Sequence, residues 1–490
     1  MVAAASAIGT MDVASVQAAV SSPVGGKPAK RPNVVFVFPD QMRAQAAGYA
    51  GDPNVRTPRL DQLAGQSLNF SHAVSCCPVC SPARGSLLTG QYANTHGDFI
   101  NDVNLQPRGT SLGEAFKAGG YDTAYIGKWH LEGPHRSAFI PPEHHRGFDF
   151  WHARECCHDY WKDFYYADTP ERIPWPGYDA QAQTGEACEY IRGRAGAERP
   201  FLLVLSWGPP HDPYTTAPPA ERALYDPARL VLRENVPSQI VPPEMQTFNG
   251  KEPPKTEVQA RHWLPGYYAH ITALDGYVGQ LLDTLDQTGL SEDTIFVFWS
   301  DHGDMLGSQA QQAKQRPWDE SIRVPLLVRY PREFGTGGRV VDALINAPDL
   351  MPTLLGLCGI TPPASAQGND YAPFLRGKAP VPAEAALIAS YLPIGNWTRA
   401  VGGCEFRGVR TQRYTYVHKL DGPWLLYDNQ EDPYQLRNLV AEPAQASLRS
   451  ELEQQMRNLL ARYDDAFEPA ETLIRRWGYP VNANLTMPYD

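Results

Sequence analysis

No stretch of this 490-residue sequence holds 18 consecutive apolar residues, and its longest strand-like runs, 34–38 and 295–299, are far too short to cross a bilayer. A membrane span is thereby excluded. Basic charge is also scarce: 43 Lys and Arg stand against 54 Asp and Glu, for a net charge of −11. That balance argues against nonspecific binding to nucleic acid, and an anionic substrate would need a locally positive site. Eight cysteines are too few for a disulfide scaffold. The pairs Cys76-Cys77 and Cys156-Cys157 are sequence neighbours that would bridge each other only with strain, so the redox compartment stays open. Residues 1–9 contain no Lys or Arg, and residues 1–30 read as a flexible tail or a divergent export signal. The absence of internal repeats and heptads excludes a solenoid or a coiled coil.

What is present is the composition of a folded globular protein, 42% apolar and 20% charged. Proline is enriched, 45 of 490 residues, which predicts long ordered loops. The run Asn33-Val34-Val35-Phe36-Val37-Phe38 reads as a buried strand that ends in Pro39-Asp40-Gln41. Three more runs share its grammar. Residues 123–126 lead into Gly127-Lys128-Trp129-His130, residues 201–205 into Pro209-Pro210-His211-Asp212, and residues 294–299 into Ser300-Asp301-His302-Gly303-Asp304. Helix-like stretches intervene at 57–65, 111–118, 182–194 and 267–288, the last with Leu274, Val278, Leu281, Leu282 and Leu285 on one stripe. Alternating strands and helices imply an α/β fold with a mostly parallel sheet, whose ligands bind beyond the carboxyl ends of the strands. Any one such cluster is an ordinary turn composition; four together point to a site.

A Pro/Gly/Ala-rich stretch, 362–382, separates a smaller region in which 407–410, 414–417 and 424–428 read as short antiparallel strands and 444–463 as a helix. The expected organisation is a tail over 1–30, a catalytic domain over 31–375 and a C-terminal α+β subdomain over 376–490.

The densest chemistry lies in Cys80-Ser81-Pro82-Ala83-Arg84-Gly85-Ser86-Leu87-Leu88-Thr89-Gly90. Pro82 in the first turn and Gly90 after the last make it a short helix with Cys80 at its N-terminus, where backbone amides and Arg84 favour an anion. Read alone, Cys77-Pro78-Val79-Cys80 also fits a redox pair or half a zinc site, although no second Cys-x-x-Cys accompanies it.

Cys80-x-Pro82-x-Arg84 with Thr89-Gly90 resembles the signature of type I sulfatases, in which that cysteine becomes formylglycine. Pro32-Asn33 to Asp40-Gln41, Thr57-Pro58-Arg59-Leu60-Asp61, Gly127-Lys128-Trp129-His130-Leu131, Pro210-His211, Ser300-Asp301-His302-Gly303 and Lys314 before Glu320-Ser321-Ile322-Arg323-Val324-Pro325 resemble further landmarks of that family, over roughly residues 31–440. The resemblance implies an alkaline-phosphatase-like fold, hydrolysis of a sulfate ester, and a divalent cation, usually Ca2+, with Mg2+ or Mn2+ as alternatives. It implies Asp40, Asp301 and His302 as metal ligands, Gln41 as a fourth, and modified residue 80 in contact with the metal. Two positions depart from the family pattern: many members have Asp where this chain has Gln41, and Asn where it has His302. The site is therefore less anionic, and the imidazole softer, than an all-oxygen set.

The same resemblance implies roles for the remaining residues. One hydroxyl of hydrated formylglycine attacks sulfur; Arg84, Lys128 and Lys314 hold the sulfate oxygens; His211, with Lys314, protonates the leaving oxygen; His130 helps deprotonate the second hydroxyl. A formylglycine-generating or anaerobic maturation enzyme would be the partner, and a periplasmic or secreted location would follow, although residues 1–30 do not distinguish it from a cytoplasmic one. Segment 133–166, with His135, Arg136, His144, His145, Arg146, Trp151, His158, Tyr160, Trp161, Tyr165 and Tyr166, either lines the pocket mouth, where cations suit sulfate and aromatics suit sugar faces, or packs its aromatics onto the sheet. The substrate expected is a sulfated carbohydrate, with aryl sulfates also hydrolysed. The alternatives are a phosphonate monoester or phosphodiester hydrolase of the same fold, or a catalytically silent protein that binds sulfated glycan.

Overall fold

The computed structural model describes residues 30–106, 108–242, 245 and 254–488, so the tail or export signal expected over 1–30 lies almost wholly outside the described residues. Residues 32–490 form one compact unit. Its centre is β1 (Asn33–Asp40), every residue of which is buried. Side chains alternate across a strand. Val34, Phe36 and Phe38 therefore enter one apolar core and Val35 and Val37 the other. Burial on both faces explains why the sequence of this strand is an unbroken apolar run rather than an alternating one.

The remaining strands are β2 (Leu68–Val74), β3 (Asp122–Lys128), β4 (Phe150–Arg154), β5 (Phe164–Tyr165), β6 (Ile173–Pro174), β7 (Phe201–Pro210), β8 (Thr294–Phe298), β9 (Leu327–Arg329), β10 (Arg339–Asn346), β11 (Ala385–Ser390), β12 (Phe406–Thr411), β13 (Tyr414–Lys419) and β14 (Gly422–Asp428). Eight of them form one sheet in the order β10-β2-β9-β8-β1-β7-β3-β4. All neighbours in it are parallel except β9, which runs antiparallel to both β2 and β8. The sheet is thus mixed at one strand and otherwise as expected. β11 to β14 form a separate antiparallel sheet, covered by the helix Ala446–Arg462 through Leu452, Met456 and Leu460. Leu387, Val409 and Leu426 of that sheet belong to the same core as Phe36 and Phe38, so the C-terminal region shares the hydrophobic interior of the large sheet.

The largest departure from the sequence reading is the long helix. It runs Glu257–Gln287, beginning ten residues before the expected start, with a Thr256/Gln259 capping box and Pro265 inside it. Pro265-Gly266 reads as a break, but Ala260 and Leu264 are buried against the second core, and tertiary packing overrides the local penalty.

Candidate active site

The four polar clusters that follow β1, β3, β7 and β8 meet at one edge of the sheet because those strands are adjacent and parallel, with their carboxyl ends together. The helix Cys80–Thr89 brings its N-terminus to the same point and ends at Gly90 in the left-handed conformation. Gly127 sits one residue before Lys128 at φ +104°, and a Cβ there would lie 2.1 Å from the Ser206 carbonyl oxygen. Only glycine lets β3 and β7 approach closely enough to set Lys128 beside Asp40.

Ligand atoms of Asp40, Cys80, Asp301 and His302 all lie within 4.8 Å of one another, and all four residues are buried. The Cys80 sulfur stands 3.3 Å from His302 Nε2, 3.7 Å from Asp40 Oδ1 and 3.0 Å from Lys314 Nζ. It marks the place where the oxygens of a formylglycine diol would stand. His302 Nδ1 faces the Gly303 carbonyl at 3.0 Å, so it carries the proton and Nε2 keeps its lone pair for a cation. Asp301 Oδ1 accepts from the backbone amides of Gln41 and His302 at 3.0 and 2.9 Å, which fixes that carboxylate. The set is two carboxylates, one imidazole and an adjacent amide oxygen, a donor chemistry that fits a divalent cation.

Gln41, at φ +73°, is linked to the cluster through Lys314, whose Nζ meets both its Oε1 and the Cys80 sulfur. Its Nε2 donates to Asp304 Oδ2 at 2.7 Å, and its Oε1 accepts from Lys314 Nζ at 3.0 Å. Asp304 also accepts from Tyr214 Oη at 2.5 Å. Asp304 and Tyr214 went unrecognised in the sequence as site residues, although Asp304 lies in the very cluster that ends β8.

Arg84 differs from its expected task. Its guanidinium is fully buried, with Nε on Asp301 Oδ2 (3.1 Å), one terminal nitrogen on Asp40 Oδ2 (3.1 Å), and the other on the Lys128 carbonyl and Ser206 Oγ (both 2.8 Å). Every arm of the fork is committed to protein acceptors, so Arg84 positions the two carboxylates instead of reaching a sulfate oxygen. Lys128 Nζ likewise lies 2.5 Å from Asp40 Oδ2. Burial raises the Asp40 carboxyl, and so does the Cys80 charge, yet Lys128, His211 and Lys314 outweigh both and hold it far below the usual carboxylate range. Burial and the Asp40 charge instead push Asp301 upward. Arg84→Ala, which strands two buried carboxylates, is expected to cost ~3–5 kcal/mol of stability, read by chemical denaturation, with a smaller loss in saturating divalent cation.

His130, at φ +59°, directs Nε2 to Asp102 Oδ1 at 3.1 Å, and Arg136 clamps the same carboxylate at 2.8 Å through two nitrogens. Among the described residues, His130 Nδ1 is buried without a hydrogen-bond partner. Burial lowers its pKa, but Cys156, Asp102 and Cys80 carry it up to about 10. His211 hands Nδ1 to the Asp212 carbonyl at 2.8 Å and meets Lys314 Nζ at 2.6 Å through Nε2, while the His158 ring stacks on it at 4.8 Å. Cys80, His130, His211 and Lys314 line a pocket of about 270 Å³ together with Asn101, Asp102, Arg136, His158, Gln315, Asn396 and Thr486.

Of segment 133–166, then, Arg136 and His158 reach the pocket lining and the large aromatics do not. Trp151, Tyr160 and Tyr166 are buried, with Trp151 stacked on His145 and on Tyr125, because large rings contribute most where they leave water. The eight cysteines are all thiols, so Cys77 and Cys80 form no disulfide in this structure. No zinc-like set forms there either, since the described groups that could hold a metal consist of the Asp40, Cys80, Asp301 and His302 cluster.

A parallel-centred sheet with a buried acidic cluster, a helix N-terminal cysteine and flanking lysines and histidines at its carboxyl edge is the architecture of an alkaline-phosphatase-like hydrolase. Residues 32–360 match the Sulfatase family, and residues 310–462 match the C-terminal region of N-sulphoglucosamine sulphohydrolase. The chain belongs to the sulfatase family and is a sulfuric ester hydrolase; the family implies a divalent metal and a formylglycine. It is 42% identical to an ulvan-active sulfatase of Formosa agariphila over 94% of this chain and 87% of that protein. It is 30% identical to an endo-4-O-sulfatase of Bacteroides thetaiotaomicron over 92% and 96% of the respective chains. Among solved structures, one from the Bacteroides thetaiotaomicron locus for glycosaminoglycan metabolism superposes with a TM-score of 0.79 at 29% identity, covering 91% of this chain and 99% of that one. A phosphonate monoester hydrolase of Agrobacterium radiobacter follows at 0.73 and 25% identity, covering 88% and 96%.

Proposed function

We propose that this sulfatase removes sulfate from a sulfated carbohydrate, using formylglycine formed from Cys80 by a maturation enzyme and a Ca2+ ion held by Asp40, Gln41, Asp301 and His302. The observation that carries the reading is the position of the Cys80 side chain, within 3.7 Å of Asp40, His302 and Lys314 at once. Mostly hard oxygen donors favour Ca2+, while the imidazole leaves Mg2+ and Mn2+ as competitors to be compared. The names of the two relatives above, active on ulvan and on 4-O-sulfated chains, support a glycan substrate. Aryl sulfates should turn over as well, since they require the sulfate-binding part of the site alone. Residues 31–375 would supply the catalytic machinery and 376–490 a subdomain.

Formylglycine supplies a diol, one oxygen of which displaces the alcohol from sulfur and the other of which then expels sulfate as the aldehyde returns. The cation supplies Lewis-acid stabilisation of anionic oxygen. The protein's own residues do the rest. Arg84 and Lys128 hold Asp40 and Asp301 in place. Lys314 faces position 80 and offsets charge on the sulfate. His211 Nε2 and Lys314 Nζ share one hydrogen bond, so the pair is suited to pass a proton to the departing ester oxygen; His130, oriented by Asp102, would take a proton from the second hydroxyl once formylglycine has replaced the Cys80 thiol, which helps hold the imidazole protonated. The mass of the peptide containing residue 80 tests the nucleophile: matured protein should be lighter by about 18 Da than its cysteine form. Rates on an aryl sulfate and a phosphonate monoester, measured side by side, test the ester, and faster phosphonate turnover would overturn the sulfate reading. His211→Ala should lower kcat by ~10²–10⁴ for a sugar alcohol leaving group and far less for an activated aryl sulfate, because a good leaving group needs little protonation.

A further inference from the structure

A second cavity, of about 320 Å³, adjoins the reaction pocket. Asp212 and Asn396 line both, and the two cavities also take consecutive residues of one loop, Lys314 facing the reaction pocket and Ala313 its neighbour. The two spaces are therefore parts of one cleft. The far wall of the second is Tyr214, Arg222, His262 and Trp263. Trp263 is half-buried and Arg222 and His262 are exposed, so each has an accessible side.

We propose that this second cavity is the subsite for a sugar on the alcohol side of the scissile ester, and that it selects an anionic ring, one bearing a carboxylate or a second sulfate. The proposal rests on the reading of the chain as a sulfatase of carbohydrates. Its direction follows from the proton donors. His211 and Lys314 are the groups placed to reach the ester oxygen, and the residue next to each, Asp212 and Ala313, opens into the second cavity. Whatever is attached to that oxygen leads there. The chemistry of the wall matches a charged sugar: the Trp263 face for the apolar face of a ring, Arg222 and His262 for an anion, and Asp212 and Asn396 for hydroxyls. Among the described residues the Arg222 side chain donates one bond, to the Thr215 carbonyl at 3.2 Å, which steadies it without occupying its whole fork.

The wall is also built with little slack. A Cβ on Gly266 would lie 2.1 Å from the Tyr214 carbonyl oxygen, so the long helix meets segment 212–216 backbone to backbone, with Trp263 nearly one turn earlier on the same helix. Tyr214 in turn reaches Asp304, which holds Gln41. Subsite and metal cluster are thus joined by a short chain of contacts, and a sugar seated on Trp263 is referenced to the sulfur position.

The test compares matured wild-type, Trp263→Ala and Arg222→Ala enzymes on 4-nitrophenyl sulfate and on sulfated, uronate-containing ulvan oligosaccharides, native and carboxyl-reduced. Both variants should keep kcat/KM on the aryl sulfate within about twofold and lose about tenfold or more on the native oligosaccharide, mainly through KM. If the recognised anion is a carboxylate, its reduction should cost wild type the same factor and Arg222→Ala little; if it is a sulfate, reduction should leave both rates unchanged while the Arg222→Ala deficit persists. Equal losses on both substrates, or none on the oligosaccharide, would overturn the subsite. Should wild type cleave the aryl sulfate and not the oligosaccharide, the carbohydrate reading of the active site fails by itself. Calorimetric binding of the oligosaccharide to Cys80→Ala, with and without Trp263→Ala, then decides the subsite: weaker binding in the double variant supports it, and no binding or no difference overturns it.

Discussion

Cys80→Ala is expected to lower sulfate-ester turnover by at least ~10⁴-fold while leaving the fold intact, the scale on which enzymes lose a covalent nucleophile. The side chain removed is small and lies at a helix N-terminus whose other residues keep their packing. What changes is the chemistry at one point. Lys314 loses one of its three partners and retains Gln41 and His211, and Cys80 supplies the one thiol of the described Asp40, Cys80, Asp301 and His302 cluster. Thermal midpoint and far-ultraviolet circular dichroism should match wild type. A combined Cys80→Ala, His211→Ala protein should be no slower than Cys80→Ala alone, because the two act on one reaction coordinate and their losses do not add. Residual activity near wild type in Cys80→Ala would remove position 80 from the mechanism and with it the formylglycine reading.

The parts of this molecule legible in the sequence are those in which one residue suffices to state the physics. β1 is legible because burial on both faces writes an unbroken apolar run, and the end of the run locates Asp40. The helix at Cys80 is legible from Pro82 and Gly90. Arg84 was located but misread: its charge invites a sulfate, whereas its acceptors, Asp40, Asp301, Ser206 and the Lys128 carbonyl, come from four distant segments that only the fold assembles. Asp102 and Asp304 were missed for the same reason, since each acquires meaning through a partner, His130 or Gln41, supplied by another part of the chain. The aromatics of 133–166 show the limit from the other side. Composition gives the same Trp and Tyr for a sugar platform and for a core, and burial decided for the core at Trp151 and Tyr160. The half-buried platform proposed above, Trp263, lies on a helix whose first turns precede the start at residue 267 expected from the sequence.

Asp301→Asn is expected to weaken divalent-cation affinity by at least ~10³-fold, with catalytic activity recoverable at high metal concentration. The argument is one of charge. Asp40 and Asp301 are buried against Arg84 and Lys128, two anions against two cations in one small space. A dication added to this set leaves net positive charge facing the pocket, which is where a sulfate monoester anion must go. Asparagine at 301 preserves an oxygen for the amides of Gln41 and His302 but removes one of the two negative charges that balance the site. Two unit charges about 4 Å apart at an effective dielectric constant near 20 interact by ~4 kcal/mol, close to three powers of ten in affinity, and the second charge of the cation makes that a lower bound. Titration calorimetry on the Cys80 form, where no turnover intervenes, reads the loss directly, and the metal dependence of aryl sulfate hydrolysis in matured protein should shift by the same factor. A chelator that leaves wild-type activity and thermal midpoint unchanged would remove the cation from this cluster. A variant that binds metal as wild type does would remove Asp301 from its coordination, leaving Asp40 and His302 to hold it.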